Sequence, residues 1–242
     1  MKSSTSPLAT RTVKCLVTGF DKFGGDKANP SETITKKLPS EVRLDEAGVT
    51  IIIDRIVLPT AGKRSWLLLK DKLDTDGLPD ILLILGQAAM RSAISLERFA
   101  MNIRDYRIPD NDKDQPLDQP IDKGARDLLR TTVSLADLLE TLQGKGHICE
   151  ISNYAGSFVC NDVYFQALQI QQRKKALQAV LFVHVPLPKT YSFVMKKNGK
   201  KSKKLASGNK LKGLDHAVIE IIKFCAAEKK EKRSSKRGSK HK

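Results

Sequence analysis

Apolar residues along the chain fall into short, nearly unbroken blocks, separated by segments in which they recur every three or four positions. The blocks "VKCLVTG" (13–19), "VTIIIDRIVLP" (49–59), "DILLILG" (80–86), "HICEIS" (147–152) and "AVLFVHVP" (179–186) have the length and β-branched content of strands. Between them, 30–38, "KRSWLLLKDKL" (63–73), 134–143 and a run from Cys160 to about Gln172 have helical spacing. Such alternation predicts an α/β fold in which parallel strands form a sheet covered by helices on both faces. The uninterrupted "ILLIL" fits a strand buried on both sides. Ligands of open sheets of this kind bind beyond the carboxyl ends of the strands, which directs attention to the loops there. "GFDKFGGDKANPS" follows the first strand, with Gly24 and Gly25 free to adopt positive φ and Phe20 and Phe23 offering aromatic faces. "RDYRIPDNDKDQPLDQPID" is long, polar and rich in Asp and Pro, the composition of a functional or disordered loop.

With 242 residues, 40% of them hydrophobic, the chain can bury one sizeable core. The net charge of +16 points toward a nucleic-acid partner until it is mapped. From Lys196 onward, 17 Lys and Arg stand against 4 acidic residues, so +13 belongs to the C-terminal stretch and only +3 to the preceding 195 residues. The organisation expected is a disordered leader (1–12), a main α/β domain (13–195), a lysine-rich insertion or loop (196–213), a C-terminal helix (214–228) and a basic disordered tail (229–242). "MKSSTSPLATRTVK" lacks the apolar core of a secretory signal, and no apolar run is long enough to span a bilayer. Its Ser/Thr-rich, basic character faintly resembles a transit peptide, although disordered leaders commonly look the same. Cys15, Cys149, Cys160 and Cys225 form no CxxC pair and no zinc-like spacing, so no metal is expected and a reducing, cytoplasmic setting is.

Cys160 stands apart from the other thiols. It follows a glycine-containing turn and begins a helical pattern, a position where free N–H groups and the helix dipole favour a thiolate. The alternative is a small buried hydrophobe, which fits Cys15, Cys149 and Cys225. His184 ends an apolar strand just before Pro186; a structural histidine is the competing reading, but a thiol and an imidazole at strand ends are what a nucleophilic pair requires. Spacing does not select the acid that would orient the ring. Glu97, in the apolar "ISLERFAMNI", is unusual enough to be a candidate, with a salt bridge to Arg91 or Arg98 as the structural explanation of its burial.

Five ordered blocks, "LVTGFDKFGG..ANPS", "LGQA..R", "ISLERFAMNIRDYRIPDND..QP", "NYAGSFVCN" and "FVHVP", spread over about residues 13–188, resemble those of the pyroglutamyl peptidase I (pyrrolidone-carboxylate peptidase) family of cysteine peptidases. The resemblance implies a single αβα sandwich, here carrying a basic C-terminal extension, and makes 13–195 a catalytic domain. It also implies a thiol protease of the omega-peptidase kind, with Cys160, His184 and Glu97 as catalytic triad. Phe20, Phe23 and Phe158 would hold the pyroglutamyl ring, and Gln87, Asn29, Arg107 and Asp110 would shape the site; Arg107 is a second candidate oxyanion contact besides the Cys160 amide. No cofactor is implied, and relatives that assemble as tetramers make a homo-oligomer the expected assembly. Two departures stand out: "GQAAMR" replaces the family's GQAGGR with Ala89 and Met90, and "GARDLLRTTVSLADLL" matches its family counterpart poorly.

The expected function is therefore a cytoplasmic cysteine exopeptidase that hydrolyses the amide bond after an N-terminal pyroglutamate through a thioester. Its partners would be pyroglutamyl peptides, no membrane, and non-specific polyanions at the tail. The competing expectation is a catalytically altered α/β protein that binds polyanions or nucleic acid through that tail. The retained Cys160, His184 and Glu97 argue against it, and the tail lacks the interleaved aromatics of single-strand readers.

Overall fold

The computed structural model describes residues 11–191, 196–197, 200–201 and 210–238. Strands β1 (Arg11–Phe20), β2 (Glu41–Leu44), β3 (Val49–Leu58), β4 (Ile81–Gln87) and β5 (Ile94–Glu97) are joined by β8 (Cys149–Ser152) and β9 (Ala179–Val185) in one seven-stranded sheet, ordered β2-β3-β1-β4-β9-β5-β8. A small separate pair, β6 (Phe99–Met101) and β7 (Leu128–Arg130), brackets the Asp-rich loop, and a short ribbon pairs β10 (Lys196–Lys197) with β11 (Lys200–Lys201). The helices are α1 (Pro30–Lys37), α2 (Gly62–Thr75), α3 (Leu135–Gly144), α4 (Val159–Arg173) and α5 (Lys210–Gly238).

Strand alternation decides which helices cover which face, because successive side chains point to opposite sides. Val13, Cys15 and Val17 of β1, Leu83 and Leu85 of β4 and Leu181 and Val183 of β9 pack with α1, α3 and α5. Leu16 and Phe20, Leu82 and Ile84, and Val180 and Phe182 pack instead with α2 and α4. Both faces are therefore apolar, and the result is the expected αβα sandwich around a largely parallel sheet.

Three strands depart from the uniform direction. β1, β3, β4 and β9 run together, β2 pairs antiparallel with β3, and β5 pairs antiparallel with β9 and parallel with β8. Cys160 and His184 thus do not follow strands that point the same way, as the alternation had implied; β8 runs opposite to β9. Boundaries also differ: β1 begins at Arg11 rather than 13, β10 and β11 fall within the expected lysine-rich loop, and α5 extends past 214–228 in both directions. Leader residues 1–10 and the last residues of the tail, 239–242, lie outside the described residues.

The Asp-rich loop is held by side chains acting on the backbone. Asp110 accepts from the amides of Asp112 (2.9 Å), Asp114 (3.0 Å) and Gly62 (2.9 Å), which closes a turn and caps α2, a helix without a local side-chain cap. Asn102 donates to the Asp122 carbonyl (2.7 Å) and accepts from the Asp122 amide (2.9 Å), so the loop's ends are tied. Composition that reads as disorder is here the means of order.

On the opposite layer, His147 enters β8 with Nδ1 at 3.1 Å from the Tyr191 hydroxyl and Nε2 at 3.0 Å from Nδ1 of His216 on α5. Two ring nitrogens at that separation share one proton, and protonating both rings would bring like charges together. Burial, and next the His216 charge, push His147 down to about 4; Lys145 acts in the same direction and Glu220 against it. Because the folded value lies below the ordinary 6.5, the unfolded chain binds a proton that the folded chain refuses. This contribution is present above about pH 6.5 and is lost as pH falls toward 4. Stability should fall across that window by an amount on the order of 3 kcal/mol, read as a lower thermal midpoint. His147→Gln should flatten the slope even where it lowers stability at neutral pH; an unchanged slope would remove His147 from the acid response.

Candidate active site

The alternation that builds the core also gathers the polar residues. Gly86 on β4 is in register with His184 on β9, and His184 with Ser95 on β5, so Gly86, His184 and Glu97 share the sheet face covered by α2 and α4. Glu97, fully buried, places Oε1 at 2.7 Å from His184 Nδ1. Arg91 Nη1 lies 2.7 Å from the same oxygen, while Oε2 has no hydrogen-bond partner among the described residues. Arg98 turns instead to Asn153 Oδ1 (2.8 Å). The carboxylate therefore meets both readings of its burial at once: it orients an imidazole and it pairs with an arginine.

Cys160 reaches this face from the start of α4. Gly156, at φ +90°, makes the turn that only glycine accommodates readily; Phe158 is extended, and Cys160 is the second helical residue. Its two successors fix it. Asn161 accepts from the Met101 amide (2.8 Å) and donates to the carbonyls of Met101 (2.8 Å) and Ile103 (3.0 Å), mimicking a strand neighbour to β6. Asp162, wholly buried, takes a two-pronged ion pair from Arg104 (2.7 and 3.0 Å) and a bond from the Tyr106 hydroxyl (3.2 Å). Gly86 supplies the space: a Cβ there would stand 2.6 Å from the Phe182 ring and 3.1 Å from Cys160 Sγ. The missing side chain lets the thiol settle on the sheet one strand away from the imidazole.

The remaining residues divide by exposure. Phe158 packs between Phe23 (centroids 5.0 Å) and Tyr106 (4.6 Å), an aromatic wall close in sequence to Cys160. Phe20 is not part of that wall; it is buried against Phe182 (6.4 Å), which in turn lies 4.7 Å from the His184 ring. Gln87 Nε2 donates to Asp26 of the first loop (2.6 Å), and its Oε1 is buried without a hydrogen-bond partner among the described residues. Asn29 caps α1 by accepting from the Ser31 amide (2.9 Å) and donates to the Asp21 carbonyl (2.9 Å). Asn29 and Asp110 therefore shape loops, and their polar atoms are engaged in doing so. Arg107 is exposed and makes no hydrogen bond or ion pair among the described residues. The Arg91 contact is one of the two salt bridges expected of Glu97; Tyr106, Asn161 and Asp162 escape a reading by residue type, and the signal for Asn161 and Asp162 is their place directly after the cysteine in "FVCND". Among the described residues, no group of three or more His, Cys, Asp or Glu is arranged to hold a metal. No helix there is long and apolar enough to cross a membrane.

Position at a helix start leads one to expect a lowered thiol pKa, and the opposite direction prevails. Although the residue is half-buried, its sulfur is enclosed; burial first, and then the Glu97 charge, push Cys160 up to about 12, against smaller lowering contributions from its own helix-start backbone and from Arg91. The resting group is thus a neutral thiol that needs a base to act. Alkylation of Cys160 by iodoacetamide should accelerate steadily from pH 6 to 9, by up to tenfold per unit. A rate already flat above pH 5 would show a preformed thiolate.

Residues 13–224 match the model of the pyroglutamyl peptidase family. The pyrrolidone-carboxylate peptidase of Treponema denticola is 37% identical over 177 residues, 72% of this chain and 78% of the relative. That of Lactobacillus johnsonii is 34% identical over 211 residues, covering 87% and 93%. Among solved structures, the pyrrolidone carboxyl peptidase of Thermococcus litoralis superimposes with a TM-score of 0.72 at 32% identity, covering 89% of this chain and 96% of the other. The matched span includes β1 with its loop, the Glu97–His184 pair and the α4 start that carries Cys160, so the chain belongs to the pyroglutamyl peptidase family.

Proposed function

We propose that this chain hydrolyses the amide bond following an N-terminal pyroglutamate, with Cys160 as nucleophile, His184 as acid and base and Glu97 as the group that orients the ring. The observation that carries this reading is the 2.7 Å bond from His184 to a wholly buried Glu97, on the face where Gly86 leaves room for the thiol. Because Nδ1 is engaged by Glu97, Nε2 is the nitrogen left for proton transfer.

Sγ attacks the pyroglutamyl carbonyl as its proton passes to Nε2, giving a tetrahedral oxyanion. Amides of the first turn of α4, Cys160 among them, have no carbonyl four residues back and stand where that charge develops. Collapse breaks the C–N bond, and Nε2 returns the proton to the departing amine. Water then attacks the thioester, giving its proton to Nε2; the C–S bond breaks, pyroglutamic acid leaves and the thiol is restored. A thiol held neutral at rest makes the base role of His184 necessary for the first step as well as the last.

Ring recognition follows from the ligand's chemistry. A pyroglutamyl group is small, flat and uncharged, which suits the wall of Phe23, Phe158 and Tyr106. The lactam N–H needs an acceptor in a buried place, and Gln87 Oε1 offers one. Arg107, exposed and without a partner among the described residues, is assigned to the peptide side of the bond. Four free thiols favour work in a reducing cytoplasm, we read the assembly as a homo-oligomer, and the basic residues after Glu228 supply any polyanion contact.

Cys160→Ala should abolish release of a reporter amine from a pyroglutamyl amide while leaving the thermal midpoint nearly unchanged. His184→Ala should lose at least about 100-fold, Glu97→Gln less, and the double variant far less than the product of the two. Strictly additive losses would separate Glu97 from the mechanism.

Substrates that differ only in the first residue test the pocket. Prolyl amides lack the ring carbonyl and carry a charged amine, so they should be cleaved at least about 100-fold more slowly than pyroglutamyl amides. Equal rates would mean that the aromatic wall does not hold a lactam.

A further inference from the structure

Arg91 lies in the loop between β4 and β5, and the three segments that carry Cys160, His184 and Glu97 all converge on it. Its Nη1 meets Glu97 Oε1 at 2.7 Å. Nη2 donates to the carbonyl of Tyr154 (3.2 Å), in the loop that leads from β8 into the turn before Cys160. Its own carbonyl accepts from the Thr190 hydroxyl (3.3 Å), in the segment that follows His184. A planar guanidinium suits this bridging role, because its nitrogens bind two acceptors in a fixed geometry.

The charge is as informative as the geometry. A wholly buried carboxylate is stable only when paired, and His184 is a full cation only when it holds the transferred proton. Arg91 is the permanent cation at Glu97. It shares the very oxygen that His184 uses, so it competes with the imidazolium for the carboxylate and weakens the hold on the proton. The ring then gives that proton up more readily to a departing amine. The groups facing the pair are few: Cys160 from α4, Tyr164, whose hydroxyl donates to the Glu97 carbonyl (2.9 Å), and Arg91; Arg98 is engaged by Asn153.

We propose that Arg91 is a positioning residue for the hydrolysis, which fixes the Glu97 carboxylate, sets how tightly the Glu97–His184 pair holds its proton and ties the loops on either side of the thiol. This rests on the pyroglutamyl peptidase reading of the site. A purely structural ion pair would affect folding and nothing else, so the two differ in the pH dependence of turnover. With the guanidinium charge removed, the Glu97–His184 pair takes up a proton more easily. Activity should therefore be lost at a higher pH as the solution is acidified.

The test is the pH profile of kcat/KM on a pyroglutamyl amide, with KM, kcat and the thermal midpoint, for wild type, Arg91→Met, Arg91→Gln and Arg91→Lys. The neutral variants should lose roughly 10- to 100-fold in kcat with KM within about threefold. Their acidic limb should move upward by about one pH unit, the size expected for a close charge. Lys, which keeps the charge but not the two-pronged grip, should restore the limb and only part of kcat. Should Met fail to fold, Gln carries the same comparison. An unmoved limb in a folded neutral variant, or a loss confined to KM, would overturn the proposal. No turnover by wild type would instead overturn the reading of the site, and the proposal with it.

Discussion

A carboxylate with no access to water has to be neutralised where it stands, and in this protein that requirement organises the site around Glu97. Removing an ion from water is costly unless charge and hydrogen bonds replace the solvent. Arg91 and His184 do so through a single oxygen. Each of these partners sits on a different strand or loop, so the pairing ties β5 to its neighbour β9 and to the loop that follows β4. The reversed course of β5 matters here: running against β9, it delivers Glu97 diagonally across from His184 rather than beyond the strand ends.

Period-two alternation then determines what else can share that face. His184 and Phe182 point the same way because they are two residues apart, and Gly86 belongs with them through register. Phe182 fills much of the space above Gly86, and the thiol takes what is left. Any side chain at position 86 would contend with both, so the place of the Cys160 thiol on this face depends on a neighbour that has no side chain. From the other direction, Asn161 and Asp162 hold α4 by bonding to β6 and to Arg104, so the helix start is fixed from two sides.

Much of this was legible in the sequence. Apolar runs marked β1, β3, β4, β8 and β9, most clearly β4 and β9, because strands buried on both faces leave an unbroken hydrophobic record. β2, "EVRL", has two exposed members and lies at the sheet edge, so it leaves little trace. β5 was visible as apolar yet its direction was not, since pairing partners distant in sequence decide parallel from antiparallel. Cys160, His184 and Glu97 were identifiable by residue type and by order of motifs. The environment of the thiol was not: a helix start is readable, whereas the enclosure that outweighs it depends on Phe182, Gly86 and Glu97, which come from three other strands. Phe20 and Phe23 illustrate the same limit, as neighbours in one loop motif that end respectively in the core and on the wall.

The raised thiol and the shared carboxylate oxygen bear on one another. A cysteine already ionised would need its imidazole partner chiefly as a counter-charge, and a strongly basic ring would serve that purpose. A neutral thiol needs a ring that accepts a proton in the attack and surrenders it to a poor leaving group, an amine, moments later. The two demands pull in opposite directions, and a carboxylate whose charge is divided between an arginine and the imidazole meets them midway. Sharing one oxygen between Arg91 and His184 leaves the ring oriented while the carboxylate is engaged twice. On the mechanism proposed above, burial of the sulfur, the Arg91 contact to Glu97 and the absence of a side chain at Gly86 are three aspects of one arrangement, in which position rather than a permanently ionised thiolate would make Cys160 the nucleophile. Such a thiol is also less exposed to adventitious oxidation between turnovers, since susceptibility follows thiolate character.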